Sequence, residues 1–367
     1  MLLGIHYLRG IAALIVVLFH FRGTLNNIYS DPDLGKNLLQ AGASGVDIFF
    51  IISGFIIVIA TQNAKSNTPS AFLIRRVFRI YPALVLCWLV GCFTVYSNQP
   101  VSELLKAVIP INKDYNLPPP TFGFNLMGPP WTLTYEILFY LVFCFALSLN
   151  HKYRALIASA MMVSSVTVIN LIFNGSVGLS ANTPLMIDST SQWAGILRMI
   201  SSSYLLEFIV GMGLAHFYLD KRVTVPKHIG MAFFLTSLAI FLVMFTSNYS
   251  PGFGPQGYGV WAIILVSGVV MLEKAKVEIG YSAVASYLGD ISYSMYISHY
   301  LILKLLQKHS PLLWGSTSGF SRFLLAVFIT IAVASVIHYF VEKPFISVGK
   351  RVLERSKQRK SALVSVA

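Results

Sequence analysis

The sequence predicts an all-α protein, a polytopic bundle of about ten transmembrane helices with both termini in the cytoplasm. Three observations carry that reading. The first is composition: of 367 residues, 56% are hydrophobic and only 11% charged, where soluble globular domains carry about 25% charge. The second is a series of stretches close to the roughly 20 apolar residues that a helical span needs. They fall near 3–22, 45–61, 77–97, 132–149, 154–174, 202–219, 229–247, 257–273, 284–303 and 321–341. None alternates in the manner of a barrel strand. The third is the placement of Lys and Arg. With the N-terminus inside, eighteen lie on the inner side: Lys65, Arg75, Arg76, Arg79, Lys152, Arg154, Lys221, Arg222, Lys227, Lys274, Lys276 and the seven from Lys343 to Lys360. Eight lie outside: Arg22, Lys36, Lys106, Lys113, Arg198, Lys304, Lys308 and Arg322. This is the positive-inside pattern, and it accounts for the net charge of +13 without invoking nucleic acid.

The first span carries Arg9 and His20, eleven residues apart. That is almost three helical turns, so both side chains share a face, roughly 16 Å apart along the axis. A cation near the bilayer centre costs about 2.5–3.5 kcal/mol on insertion scales and persists where it faces protein or a cavity. One end of the stripe can hold an anion, and the other can move a proton near neutral pH. The plainer alternative is an arginine and a histidine snorkelling to opposite interfaces. No basic segment precedes this span and no small-residue cleavage site follows it, so it reads as a retained span and not a signal peptide. His6, one turn before Arg9, reads as structural.

Span 2 opens with Gly45-Val46-Asp47, which sets Asp47 near the outer boundary at about the depth of His20. Before span 3, Arg76 and Arg79 are three apart and share a helix face. Guanidinium forks suit phosphate oxygens, although arginines at an inner helix end also act as topology signals. The outer segment 98–131 contains Pro118-Pro119-Pro120 and Gly128-Pro129-Pro130, turn chemistry that reads as an ordered cap. Span 4 follows from Trp131 and places Glu136 about one turn below the outer surface. His20, Asp47 and Glu136 then share one membrane level. A carboxylate beside an imidazole fixes its tautomer and stabilises the imidazolium formed during proton abstraction. The alternative for both acids is a first-turn position favoured by the helix dipole.

Span 6 offers Glu207 as a weaker candidate of the same kind. Span 9 carries Asp290, Tyr293, Tyr296 and His299 at helical spacing, either as ligand contacts toward the outside or as a polar stripe facing the bundle interior. His338 reads as structural, and Glu342-Lys343-Pro344 ends span 10. The tail, 347–367, reads as a basic helix on anionic lipid. Cys87, Cys92 and Cys144 show neither disulfide nor metal spacing, and no Gly-x-Ser-x-Gly elbow supplies a serine nucleophile.

Arg9-x10-His20, GVDIFFIISGF (45–55), RRVFRIYP (75–82), WTLTYE (131–136), DISYSMYISHY (290–300) and VEKPF (341–345) occur in this order. In that series the chain resembles the acyltransferase-3 family of integral-membrane O-acyltransferases, over residues 4–346. The resemblance implies one transmembrane acyltransferase domain (1–346) and a basic cytoplasmic tail (347–367), the stand-alone form without an esterase-like domain. It further implies a bacterial cytoplasmic (inner) membrane enzyme. Acetyl-coenzyme A or another acyl-coenzyme A would be the donor, and a hydroxyl of a surface polysaccharide or glycolipid, such as O-antigen or exopolysaccharide, the acceptor. By the resemblance Arg9 and His20 fall on the family's Arg-x10-His signature and Arg76 and Arg79 on its Arg-x-x-Arg signature; read from the residues themselves, Arg76, Arg79 and Arg9 would hold the donor, His20 would act as base with Glu136 or Asp47, and Trp131, Tyr296 and His299 would contact the acceptor. Lipid is the remaining expected partner; no metal and no nucleic acid are expected. A competing class is a transporter or exporter, using the intramembrane polar set as a substrate path or proton relay; matching broken halves are not seen in the sequence. A non-catalytic scaffold would leave the polar set unexplained.

Overall fold

The computed structural model describes residues 2–247 and 249–366, with the side chains of Lys65, Gln192, Pro311, Lys357, Arg359 and 360–366 also left out. Every regular element among them is helical. In chain order these are α1 (Leu3–Phe21), α2 (Leu34–Leu39), α3 (Gly45–Ala60), α4 (Pro69–Phe93), α5 (Val101–Val108), α6 (Trp131–Leu149), α7 (Arg154–Asn174), α8 (Gln192–Ile200), α9 (Tyr204–Leu219), α10 (Lys227–Thr246), α11 (Tyr258–Lys274), α12 (Ala283–His309), α13 (Pro311–Gly315), α14 (Gly319–Ile337) and α15 (Lys343–Val366). Eight segments, containing α1, α3, α4, α6, α7, α9, α10 and α14, are long and apolar enough to cross a membrane. The chain is a multi-pass helical membrane protein.

The ten stretches of the sequence reading include α11 and α12 as well. α11 has only 17 residues. α12 is long but carries buried Ser292, Ser294, Ser298 and His299. Its polarity follows from its position, since a helix enclosed by other helices need not be apolar all round. Lipid-facing helices show the opposite surface: Leu141, Phe145, Leu156, Ile172, Val243 and Phe328 are all exposed.

Two close helix pairs organise the bundle, each built on glycine. At the α1–α12 crossing, a Cβ on Gly10 would lie 2.6 Å from the Gly289 backbone nitrogen. At the α3–α9 crossing, a Cβ on Gly54 would lie 2.1 Å from Phe208 O, and one on Gly211 2.0 Å from Ile51 O. With no general hydrophobic drive between helices in lipid, small residues that let backbones touch carry the association. α1, α12 and α14 share one apolar core, and α3, α4, α6, α7, α9 and α11 share another to which α1 and α12 also contribute.

The 98–131 segment is an ordered cap tied to the start of α6. Tyr135 donates to Pro120 O at 2.9 Å and Thr134 to Pro110 O at 2.5 Å, while Asn125 Nδ2 donates to Ile111 O at 3.1 Å. At the other end of the bundle, a π-helical turn (His338–Glu342) joins α14 to α15. Such turns re-aim side chains, and Glu342 is turned inward to accept from Ser294 Oγ at 2.8 Å. α15 runs unbroken across residue 346 and packs its Gly349 against Phe78 of α4. The far end of the basic tail, including the Lys357, Arg359 and Lys360 side chains and Ala367, lies outside the described residues.

Candidate active site

The α1–α12 pairing brings His20 and His299 together, with His20 Nδ1 3.3 Å from His299 Nε2. Backbone carbonyls fix both tautomers. His20 Nδ1 is 2.8 Å from Val16 O, and His299 Nδ1 is 2.7 Å from Tyr296 O. A carbonyl only accepts, so in the neutral rings each Nδ1 carries the hydrogen. His299 Nε2 is then an acceptor for the shared Nδ1–H of His20, and His20 Nε2 is left as a basic lone pair. His20 lines a cavity of about 350 Å³ with Arg22, Thr121, Phe124, Trp131, Phe253 and Tyr300 among its walls. His299 is completely buried and lines none of the cavities described here.

One step toward the middle of the bundle lies a narrow cavity of about 110 Å³, lined by Arg9, Arg76, Arg79, Ser53, Glu136, Tyr140 and Tyr293. Within this cavity three guanidinium groups stand with one carboxylate, and the excess positive charge suits an anionic ligand. Arg9 spends one N–H on Gly289 O at 2.7 Å, but its Nε is buried without a partner. Arg76 Nε is likewise unpartnered, and its guanidinium lies 4.8 Å from the Tyr140 ring centre. Arg75 turns the other way and donates to Ser66 O and Asn67 Oδ1. Glu136 accepts from Ser53 Oγ at 3.2 Å and from the Tyr140 hydroxyl. Tyr140 is one turn after Glu136 on α6, a spacing that the sequence alone could have offered.

A third cavity of about 400 Å³ continues past Arg9 and Arg79 to His6, Asp290, His338 and Glu342. Neighbouring cavities share walls. Arg9, Ile56 and Arg79 belong to both the third and the narrow cavity, and Val46 and Tyr296 to both the narrow and the His20 cavity. Tyr296 stands at the constriction, with its hydroxyl 2.6 Å from Thr132 Oγ1 and donating to Pro129 O at 3.1 Å.

Of the residues singled out from sequence, Arg9, Arg76, Arg79 and Glu136 meet in the narrow cavity, and His20, Trp131 and Tyr296 in the wider one. Neither acid lies against His20. Glu136 faces the arginines, and Asp47 turns into the α3–α9 seam, where Oδ1 accepts from Gly254 N–H at 2.9 Å. Equal depth does not set rotation about a helix axis. The tight α3–α9 glycine contact points Asp47 at α9, beside Glu207. The groups that orient His20 are therefore a carbonyl of its own helix and a second histidine. His6 sits 3.3 Å from Asp290 and His338 3.0 Å from Glu342, both at the Arg9 end. Ser53, Tyr140 and the loop aromatics Phe124 and Phe253 line these cavities although the sequence did not single them out.

The family model described as "Acyltransferase domain" matches residues 2–339. The chain belongs to the acyltransferase-3 family. Its similarity to the exopolysaccharide production protein ExoZ of Rhizobium meliloti (strain 1021) is 29% identity over 272 residues, 73% of this chain and 78% of that protein. Acyltransferase MdmB of Streptomyces mycarofaciens is 25% identical over 366 residues, 92% of this chain and 89% of MdmB. A Staphylococcus aureus (strain COL) protein, named provisionally as an O-acetyltransferase, is 23% identical over 381 aligned positions; these span 95% of this chain and 58% of the longer relative. No solved structure matches the chain. This is a membrane acyltransferase, and the narrow cavity and the His20 cavity lie inside the family's matched region.

Proposed function

We propose that this acyltransferase-3 protein is an acyl-coenzyme A-dependent O-acyltransferase of the bacterial inner membrane, acting on a hydroxyl of a surface polysaccharide or glycolipid. The observation that supports it is the end-to-end run of cavities, with a cluster of guanidinium groups at one step and an imidazole at the next. Coenzyme A carries its phosphates at one end and its thioester at the other. In this reading the phosphates enter from the cytoplasm toward Arg79, Arg76 and Arg9, and the acyl end extends past Tyr296 toward His20. The acceptor comes from the opposite face into the wider cavity, against Trp131. The names of ExoZ and of the staphylococcal relative support a glycan acceptor and an acetyl group respectively.

The chemistry balances with the groups available. His20 Nε2 takes the proton of the acceptor hydroxyl as its oxygen attacks the thioester carbonyl carbon. The carbon–sulfur bond then breaks, and the departing thiolate takes up that proton to leave as free coenzyme A. A general base in this position contributes about 10²–10⁴-fold. Direct transfer is favoured over an acyl-enzyme because no serine elbow is present.

An exporter could also use a continuous path, so the test must separate the two. Purified protein in detergent, where no compartments exist, is given acetyl-coenzyme A and an isolated exopolysaccharide, and free thiol is followed. His20-dependent thiol release is the expected result. Release independent of His20, or no release with any donor and glycan while reconstituted vesicles still move substrate, would overturn the proposal.

A further inference from the structure

A further cavity, of about 240 Å³, lies at the same end of the bundle as the His20 cavity and has no part in the roles given so far. Its mouth is made by exposed residues of two loops: Asn116 and Leu117 of the cap, and Asn182 and Thr183 between α7 and α8. Its floor is buried and consists of Asn170 on α7, Ser201 and Ser203 before α9, and Phe122. A single wall divides it from the His20 cavity. Phe253, which lines the His20 cavity, accepts from Ala181 N–H at 3.0 Å and donates its own N–H to Asn182 Oδ1 at 2.8 Å. Thr121 lines the His20 cavity, and Phe122, the next residue, lines this one.

The lining selects the chemistry of the occupant. No aspartate, glutamate or lysine is among its walls, so nothing there would hold a metal ion or an ammonium group. Its one arginine, Arg198, is already engaged with three oxygens, Asn116 Oδ1 at 2.5 Å and the carbonyls of Ile187 and Ser189 at 3.0 Å each. An anion would have to displace those bonds to gain a bidentate fork. What stays open is neutral. Asn182 spends its Oδ1 on Phe253 and keeps both amide hydrogens. Ser180 Oγ accepts from Asn182 N–H at 3.3 Å and keeps its own hydrogen. Ser203 Oγ is buried without a hydrogen-bond partner, a condition that a native structure normally relieves with a ligand or water. With the Thr183 hydroxyl at the mouth, these are one amide and three hydroxyls, groups that can both donate and accept. Beside the apolar faces of Phe122 and Leu117 they match a neutral polyhydroxylated ring. The volume is below the roughly 300–1,000 Å³ of a pocket for a drug-sized ligand, which suits one sugar unit and not a longer segment.

We propose that this cavity is a second saccharide subsite, which holds one neutral sugar of the acceptor while a hydroxyl of another sugar in the same chain reaches His20. The inference rests on the glycan reading above and adds that the acceptor is an oligomer or polymer gripped at two places. The chain runs over the rim that Phe253 and Thr121 share between the two cavities. Binding energy gained at such a distance from the reacting carbonyl fixes the acceptor in place and leaves the proton transfer to His20. Asn182, Thr183 and Ser203 are then specificity-determining residues, with no catalytic part.

The test compares acceptors of different length on full-length protein in detergent, using monosaccharides and longer oligosaccharides released by partial hydrolysis of the host bacterium's surface polysaccharide. Two variants leave His20 and the three arginines of the narrow cavity untouched. Asn182→Asp keeps the oxygen that Phe253 N–H needs and removes the amide hydrogens, and Thr183→Trp plugs the exposed mouth. With acetyl-coenzyme A, the wild type should have a KM at least tenfold lower for the longer oligosaccharides than for the monosaccharide. Each variant should raise the KM for the longer ones at least fivefold, with kcat and the KM values for monosaccharide and acetyl-coenzyme A unchanged. Equal KM values for short and long acceptors in the wild type overturn the subsite and leave the transferase reading standing. So does a loss in the variants that falls equally on the monosaccharide. Binding is also followed without donor, by saturation-transfer NMR from protein to oligosaccharide. Binding that Thr183→Trp abolishes, in a protein that transfers nothing, upholds the subsite and removes the transferase reading. A wild-type protein that binds no oligosaccharide overturns the proposal.

Discussion

Which of the two touching histidines accepts the proton can be decided by comparing His299→Phe with His20→Ala. Phenylalanine keeps the volume of the buried ring but removes the acceptor for His20 Nδ1. What is lost is the 3.3 Å contact, while the 2.8 Å bond to Val16 O remains and still holds the tautomer. A single net hydrogen bond is worth about 0.5–1.5 kcal/mol. At about 1.36 kcal/mol per decade that is roughly a 2- to 13-fold fall in rate. His20→Ala removes the lone pair itself and should lower the rate by about 10²–10⁴-fold. The assay is thiol release from acetyl-coenzyme A with saturating glycan, on variants shown to be folded by their elution profile in detergent. A His299→Phe protein as inactive as His20→Ala would place the proton transfer on His299 and refute the tautomer argument. More than a tenth of wild-type rate in His20→Ala would refute the base assignment itself.

Arg76→Lys and Arg79→Lys should weaken acetyl-coenzyme A binding more than they lower kcat, because a point charge lacks the bidentate fork; unchanged affinity in the double alanine variant would mean that both are only topology determinants. Glu136→Gln removes the carboxylate that lines the narrow cavity with Arg9, Arg76 and Arg79, so donor binding should be at least as tight as in the wild type while turnover falls. An affinity loss matching that of Arg76→Ala would show that this charge balance is misread. In sealed inverted vesicles, donor added to the cytoplasmic face should be consumed only when glycan is trapped inside, and equal consumption with glycan outside would remove the two-sided arrangement. Gly211→Val drives a side chain into Ile51 O, 2.0 Å from the Cβ position, and should destabilise by about 1–3 kcal/mol or more; a melting temperature unchanged in detergent would show that the α3–α9 crossing is not the tight seam described.

The sequence by itself determined the class and the stripe. Hydropathy fixes which segments are helices in lipid, because an unpaired backbone has no alternative there. The Arg9–His20 relation was readable because both residues lie on one helix, where spacing alone sets the face. Arg76 and Arg79 were readable for the same reason. Tertiary structure decided everything that depends on how one helix is rotated against another. His20, Asp47 and Glu136 were expected at one level, yet Asp47 is turned into the α9 seam by the glycine contact at Gly54 and Gly211. Glu136 is turned toward the arginines, where Ser53 and Tyr140 hold it. His299, expected from the sequence to contact the acceptor, is buried with its Nε2 3.3 Å from His20 Nδ1, a meeting of two helices that no spacing along one helix could give. The meeting of Asp47, Glu207 and Gly254 joins residues up to 207 positions apart. Depth along an axis is written in the count of residues; azimuth is set by packing, and only the folded bundle contains it.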